Sequence, residues 1–488
     1  MAYVHADRLT ALDSSFLALE DHDAHMHVGS VAIFDVGPLR GPLGGLDIDR
    51  IRSHAAAALD RQPRFRQKLA AVPLLDSFVW IDDPHFNLAY HIRHTALPAP
   101  GDERQLKRLT GRIMSQQLDR GKPLWELWFV EGLADDRFAV IAKLHHCMVD
   151  GMAGADLMGA LMRPERATPP ATSAAWLPRP APSAARLLLD EAWRRLAPGD
   201  LLRFAGRAVR TPRQALDDFR QDVDSVGAAL RSALTPASPT PINGALGPHR
   251  RFDWLRFDLA PLTTVAHRHT VTLNDVALSI AAGAIGRFLR QRGEDPHQLT
   301  FRAMVPVSVR SAGERGRMGN RVSMLVVPLP IGEPDPLQRL ARVSETMRAL
   351  KRSNQQRGPE IIGRASDRLF GLLFARFARL AGRLLPYNVV ITNVPGPSQP
   401  LYLFGARLRA VYPLVPLFTN QNLGVALFSY DGGLFWGFNA DWDALPDLHV
   451  LLDGVQHEIG ALAPPRPRAI RLAAAAGTRR AARRRAKA

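Results

Sequence analysis

Between Arg163 and Pro248 the apolar runs that organise both ends of the chain give way to prolines. They stand at Pro164, Pro169, Pro170, Pro178, Pro180 and Pro182, then at Pro236, Pro239 and Pro241, around one helical stretch near Leu187–Leu196. Proline fixes φ and has no amide hydrogen to donate, so no regular sheet or helix runs through such spacing. The chain is therefore expected to fold as two blocks joined by a long crossover linker. Its 488 residues agree, because a single core stops growing at roughly 250–300 residues. The divisions fall at residues 1–162, a linker over 163–248, a second block over 249–465 and a basic tail over 466–488.

Both blocks mix strand and helix signals. In the first, Trp128–Val130 and Phe138–Leu144 have strand character, and Ile51–Gln62, stopped by Pro63, has a helical pattern. In the second, Asn274–Gln291 reads as a helix, and Thr300–Val309 and Val322–Pro328 as strands. An α/β fold follows for each.

Hydrophobic residues at 46% and charged ones at 22% describe a soluble globular chain. The net charge of +17 points to an anionic partner, whether nucleic acid, a membrane surface or a phosphorylated cofactor. Part of the excess lies in the tail, at Arg479, Arg480, Arg483, Arg484, Arg485 and Lys487, which is either disordered and solvated or an anchor on anionic lipid. Arg364–Arg383 interleaves arginines with Leu and Phe as a basic amphipathic helix, packed on the core or inserted at a membrane interface. The single cysteine, Cys147, excludes an intramolecular disulfide and a multi-Cys zinc site and suits a reducing cytosol. Neither a secretory leader nor the ~18 clean apolar residues of a spanning helix is found, so a cytoplasmic protein with peripheral membrane contact is expected.

The chemistry concentrates in His145-His146-Cys147-Met148-Val149-Asp150-Gly151, after the apolar run that ends at Leu144. If Val140–His146 is a strand, His145 and His146 point to opposite sides and only one faces a given cleft. A histidine held at a strand end suits general-base work, since its ordinary pKa lies near neutral pH. Asp150 would either pair with an arginine to brace the loop or fix a histidine tautomer, and Gly151 supplies the torsions of a tight turn. Cys147 beside His146 suggests a thiol nucleophile, but neighbours on a strand diverge and nothing local lowers its pKa.

The set His-His-x-x-x-Asp-Gly resembles the active-site motif of the coenzyme A-dependent acyltransferases, which include chloramphenicol acetyltransferase and peptide-synthetase condensation domains. Further blocks narrow the likeness: Leu9–Leu17, Met26–Gly29, Pro123-Leu124-Trp125, Asn274–Leu278, Gly319-Asn320 and Thr392–Pro397. In order and spacing they resemble the bacterial wax ester synthase/diacylglycerol acyltransferase family, over roughly Arg8–Pro446. The resemblance implies two chloramphenicol-acetyltransferase-like domains with an active site at their junction. It makes His146 the base and Asp150 mainly architectural, with no metal and no bound cofactor. Acyl-coenzyme A is then the co-substrate, diacylglycerol or a long-chain alcohol the acceptor, and a membrane or lipid inclusion the surface.

Other candidates rest partly on those blocks. Asn274 is expected near the site, as an oxyanion donor or positioning group, or else as a helix N-cap. Asp275 reads as compensation of the helix dipole rather than chemistry. Trp125 and Asn393, in the Pro123 and Thr392 blocks, are expected to border the cleft. The absence of a Gly-x-Ser-x-Gly elbow, a phosphate-loop lysine motif and a Gly-x-Gly-x-x-Gly turn lowers the hydrolase and nucleotide-enzyme readings. No zinc-finger or aromatic-interleaved signature supports nucleic acid. A relative using a polyketide-derived lipid or carrier-bound amine, and a non-catalytic lipid-inclusion coat, are the remaining rivals.

Overall fold

The computed structural model describes residues 6–75, 77–148, 154–166, 175–196, 236–308, 322–356 and 386–463. Two larger sheets and one small sheet organise them. In the first half the strands are β1 (Asp7–Arg8), β2 (His27–Asp35), β3 (Gln67–Ala71), β4 (Phe78–Asp82), β5 (Ile92–Ala96), β6 (Trp125–Leu133), β7 (Arg137–His145) and β8 (Met162–Arg163). The second half supplies β9 (Arg250–Asp258), β10 (Arg302–Ser308), β11 (Val322–Pro328), β12 (Val389–Pro395), β13 (Tyr402–Leu403), β14 (Ala406–Leu414), β15 (Leu423–Tyr430) and β16 (Gly433–Asp441).

Local sequence explains where the main helices start. Helix α1 (Ala11–Leu19) opens on a capping box in which Thr10 and Asp13 bond each other's amides. Helix α2 (Ile48–Leu59) begins three residues before the sequence signal because Asp47 caps it. The helices α3 (Leu88–His91), α4 (Glu103–Met114), α5 (Gly154–Leu161) and α6 (Ala184–Leu196) complete the first half. Those of the second are α7 (Leu259–Arg268), α8 (Leu273–Gln291), α9 (Pro336–Gln356) and α10 (Leu448–Leu462).

Strand β7, interior to the seven-stranded sheet between β6 and β2, is buried along all but its first residue, which explains its unbroken apolar run. It is antiparallel to β6 on one side and β2 on the other, and the β2 register sets His27 opposite His145. The pairing needs Gly29: a Cβ there would lie 1.9 Å from the Ala142 carbonyl oxygen.

Strand β14 leaves the second half and adds to the outer side of β2, and β13 pairs with β8, so the larger N-terminal sheet is completed by C-terminal residues. The division at 248/249 therefore separates sequence blocks but not the sheets. Nor is 163–248 only a connector, since α6 within it packs on the three-stranded sheet. Two main cores result, one around β7 and one around α8 and the six-stranded sheet. The amphipathic segment 364–383, the Gly319-Asn320 block and the basic tail lie outside the described residues.

Candidate active site

The motif strand ends at His145, one residue past its apolar run and one short of the Val140–His146 strand considered from the sequence, and His146–Met148 form a 3-10 turn. The His146 amide donates to the Met26 carbonyl at 2.7 Å, which holds the turn against the start of β2. The residue is partly exposed, and its ring stacks on Phe16 of α1 with centroids 3.8 Å apart. Phe16 belongs to a small cluster with Ala24 and Met26, against which Leu246 and Phe418 pack from the linker and the loop after β14. Removal from water disfavours the imidazolium and outweighs contact with the residue's own backbone, so the pKa falls to about 4. His146 is thus neutral near pH 7, and its Nδ1 is buried without a hydrogen-bond partner among the described residues.

His145 is a different kind of residue. Its side chain is buried, and its Nδ1 accepts the Cys147 amide at 3.1 Å, so that lone pair is already used. The remaining hydrogen sits on Nε2, 3.5 Å from Glu20 Oε2. The sequence places His145 among the catalytic groups with His146 and Asp150; in the structure its Nδ1 lone pair is occupied by the backbone of the turn.

Sequence reading missed Glu20, the residue that closes α1. Its carboxylate, buried with a side chain 1% exposed, receives Arg120 Nε at 3.0 Å and lies 3.9 Å from His27 Nε2. Burial raises its pKa, but hydrogen bonds from His145 and Arg120 prevail and bring it to about 2. Lys143, opposite Gly29 in the β2–β7 register, is also buried and donates to the carbonyls of Ile113 at 3.0 Å and Gln116. Its pKa drops to about 8 through burial, opposed by Glu126. These partners come from α1, β2, β7 and the turn after α4, so the only available signal was charged or imidazole residues inside apolar surroundings.

The other candidates separate. Asn274 is not the N-cap of α8; Thr272 is, through a reciprocal capping box with Asp275, so Asp275 serves the helix end. Asn274, half-buried in the first turn, has its Oδ1 3.5 Å from Asn393 Nδ2 on β12, and the two asparagines are brought together. No hydrogen bond among the described residues joins them to His146. Trp125 is a core residue rather than a cleft residue: it is fully buried, its indole N–H donates to the Phe65 carbonyl at 2.8 Å, and it stacks on His91. Cys147 is buried, which pushes its thiol well above the ordinary value and leaves no thiolate for attack. Asp150 and Gly151 lie outside the described residues.

Among the described residues, no group of three or more His, Cys, Asp or Glu side chains is placed to hold a metal ion. No helix among them is long and apolar enough to cross a membrane.

Comparison with known proteins gives a consistent result. Residues 9–277 match the wax ester synthase/diacylglycerol acyltransferase catalytic domain, and residues 318–463 match the corresponding C-terminal domain. A Mycobacterium tuberculosis protein named probable diacyglycerol O-acyltransferase tgs1 is 34% identical over 459 residues, covering 93% of this chain and 96% of its own. The solved wax ester synthase/diacylglycerol acyltransferase from Marinobacter aquaeolei VT8 is 25% identical, with a TM-score of 0.66 over 93% of this chain and 98% of that one. The first condensation domain of the calcium-dependent antibiotic synthetase shares the fold at 18% identity, with a TM-score of 0.59 over 94% of this chain and 97% of that one.

Proposed function

Because the chain belongs to the wax ester synthase/diacylglycerol acyltransferase family, and is thereby an acyltransferase, we propose that it moves a long-chain acyl group from acyl-coenzyme A to the free hydroxyl of diacylglycerol, with His146 as general base. The observation that carries this is the division between the two imidazoles, one bound to the backbone through its lone pair and the other neutral and partly exposed. As a general base His146 needs a free lone pair, and with Nδ1 buried the nitrogen assigned to meet the hydroxyl is Nε2.

The steps follow from that assignment. Nε2 takes the hydroxyl proton as the oxygen attacks the thioester carbonyl, giving a tetrahedral oxyanion. Its collapse breaks the carbon–sulfur bond, and the departing thiolate recovers the proton from His146, leaving an ester and coenzyme A. No acyl-enzyme is required, which agrees with the inert Cys147. With its Oδ1 turned toward Asn393, Asn274 keeps its amide hydrogens to donate to the oxyanion or to the acceptor. Phe16, Met26 and Phe418 supply apolar surface beside the base that suits an acyl chain. The positive charge of the whole chain suits the phosphates of coenzyme A.

Diacylglycerol is preferred because relatives carry that name; a long-chain alcohol, giving a wax ester, is the second acceptor. Supplying labelled palmitoyl-coenzyme A with diacylglycerol, hexadecanol or both, and identifying the products by mass, tests the choice. Triacylglycerol as the main product is expected; ester formation with neither lipid sinks the assignment and moves the acceptor to the other superfamily classes.

A further inference from the structure

At the end of β2 remote from the motif histidines, an open cavity of about 570 Å³ is lined by Gly37, Pro38, Arg50, Arg166, Phe404 and Gly405. Strand β2 runs for nine residues from His27 to Asp35, which at about 3.3 Å each places the cavity on the order of 30 Å from the acyl-transfer site. Four segments converge on it: the turn after β2, the first turn of α2, the residues after β8 and the β13–β14 hairpin. Among the described residues its only charged lining groups are the two arginines. Arg50 donates from Nη1 to the Pro38 carbonyl at 3.0 Å, which fixes one edge of the guanidinium, and it has no acidic partner among the described residues. Arg166 is exposed and has neither a hydrogen bond nor an ion pair among them. The carboxylates of neighbouring segments are committed elsewhere: Asp47 caps α2 through the Arg50 amide, Asp49 lies 3.5 Å from Arg52 Nη1, and Asp136 is paired with Arg40. Glu165, next to Arg166 in sequence, does not line the cavity. The hairpin tip supplies the apolar wall. Phe404 and Gly405 form a two-residue loop with φ of 49° and 89°, a left-handed pair for which asparagine and glycine are the ordinary choice. Phenylalanine is not what that backbone asks for; its ring is 8% exposed and packs on His54 with centroids 5.0 Å apart, at the edge of the cavity.

We propose that this cavity binds an organic phosphate of the nucleotide class, with Arg50 and Arg166 on the phosphate oxygens and Phe404 and Pro38 against the flat apolar part. Two guanidinium groups without carboxylate partners select a multiply charged anion, and phosphate oxygens match their fork of donors. The volume falls in the range of small-molecule sites and exceeds what an inorganic anion fills, and the apolar wall favours an organic one. Two sources share this chemistry: a free nucleotide, and the phosphorylated adenosine end of coenzyme A, the second of which rests on the acyl-coenzyme A reading. Binding itself does not depend on acyl transfer or on the acceptor used.

The test titrates ADP and inorganic phosphate into the intact wild-type chain and into one carrying Arg50→Gln and Arg166→Gln, with binding read by calorimetry. Wild type is expected to bind ADP, and the variant to bind it about ten- to a hundredfold more weakly, with unchanged circular dichroism. Steady-state acyl transfer then separates the sources. A KM for palmitoyl-coenzyme A that rises in the variant while kcat holds assigns the cavity to the far end of coenzyme A; an unchanged KM beside the lost ADP binding assigns it to a free nucleotide. ADP binding that depends on the two arginines in a protein without acyl transfer would leave this inference standing while the functional reading fell. Equal ADP binding by the two chains overturns it, as does a wild type that binds none. Inorganic phosphate bound as tightly as ADP reduces the cavity to a simple anion site and overturns it too. Should the double variant misfold because Arg50 holds the Pro38 carbonyl, Arg166→Glu alone, changed at an exposed and unpaired position, carries the test with roughly a tenfold loss expected.

Discussion

His145 accepts the Cys147 amide while His146 stacks on Phe16, its Nδ1 without a hydrogen-bond partner among the described residues. The two adjacent imidazoles therefore lie in unlike surroundings, and the pH profile tests His146 as the base. A general base works when unprotonated; with the His146 pKa near 4, kcat/KM should stay level from neutral pH down to about 4 and decline only below it. An acid limb centred near 6.5, the ordinary value, would place the active imidazole in water instead. The same shift has a cost in stability. The unfolded chain takes up this proton near 6.5 and the folded chain near 4, so this group favours unfolding progressively as pH falls through that window. Cys147→Ala should keep most activity and lose at most about 2 kcal/mol of stability; loss of acyl transfer in a folded variant would return the thiol to the mechanism. The motif around His146 was legible because family resemblance singled it out. The backbone bond of His145 was not, since it depends on the chain leaving the strand one residue early.

At the scale of elements, β2 carries the site, because Met26 holds the His146 amide and His27 faces His145 across the ladder. Gly29→Ala should push β2 off β7, with a loss on the order of 1–3 kcal/mol read by urea unfolding; an unchanged midpoint would deny the close approach. Helix α1 is tied down through Glu20, whose carboxylate joins Arg120 to the His145 side of the turn. Glu20→Gln should cost about 1–3 kcal/mol and lower kcat more than it raises KM, because α1 also carries Phe16. An unaltered kcat would confine Glu20 to stability. Strand β11 appears with the residue bounds its apolar run gives, and β7 differs by one residue or so at each end. Strand β7 is an interior run whose burial dominates local choice, whereas β11, at the sheet edge, alternates buried Leu325 and Val327 with exposed Met324 and Pro328. The link between Glu20 and Arg120 spans 100 residues of sequence and exists only once the sheet has formed, so no local pattern announces it. Trp125 misled because an aromatic beside a turn resembles a cleft residue until its indole N–H is seen bonded inside the core.

For the whole molecule, the proline-rich break divides the sequence into two blocks but conceals their exchange of strands. Strand β14 pairs with β2, and a Cβ at Gly437 of β16 would lie 1.9 Å from the Pro413 carbonyl oxygen of β14. The halves are also joined by Arg250, whose amide donates to Ser115 Oγ at 2.8 Å and whose guanidinium reaches the Asp23 carbonyl. A fragment ending at residue 248 would expose the β2 edge and is expected to aggregate, and co-expression with the remainder should restore solubility. A soluble, cooperatively folding fragment would contradict the shared sheet. Strand exchange between distant segments leaves no trace in periodicity or composition, which is why the division looked cleaner in sequence than in space. The proposed reaction turns on one proton transfer to His146. Its most direct test is coenzyme A release from palmitoyl-coenzyme A by wild type and His146→Ala, with diacylglycerol present or absent and folding checked in parallel. Acceptor-dependent release that falls by about 10²–10⁴-fold in a folded His146→Ala chain is predicted; equal release by the two proteins would contradict it.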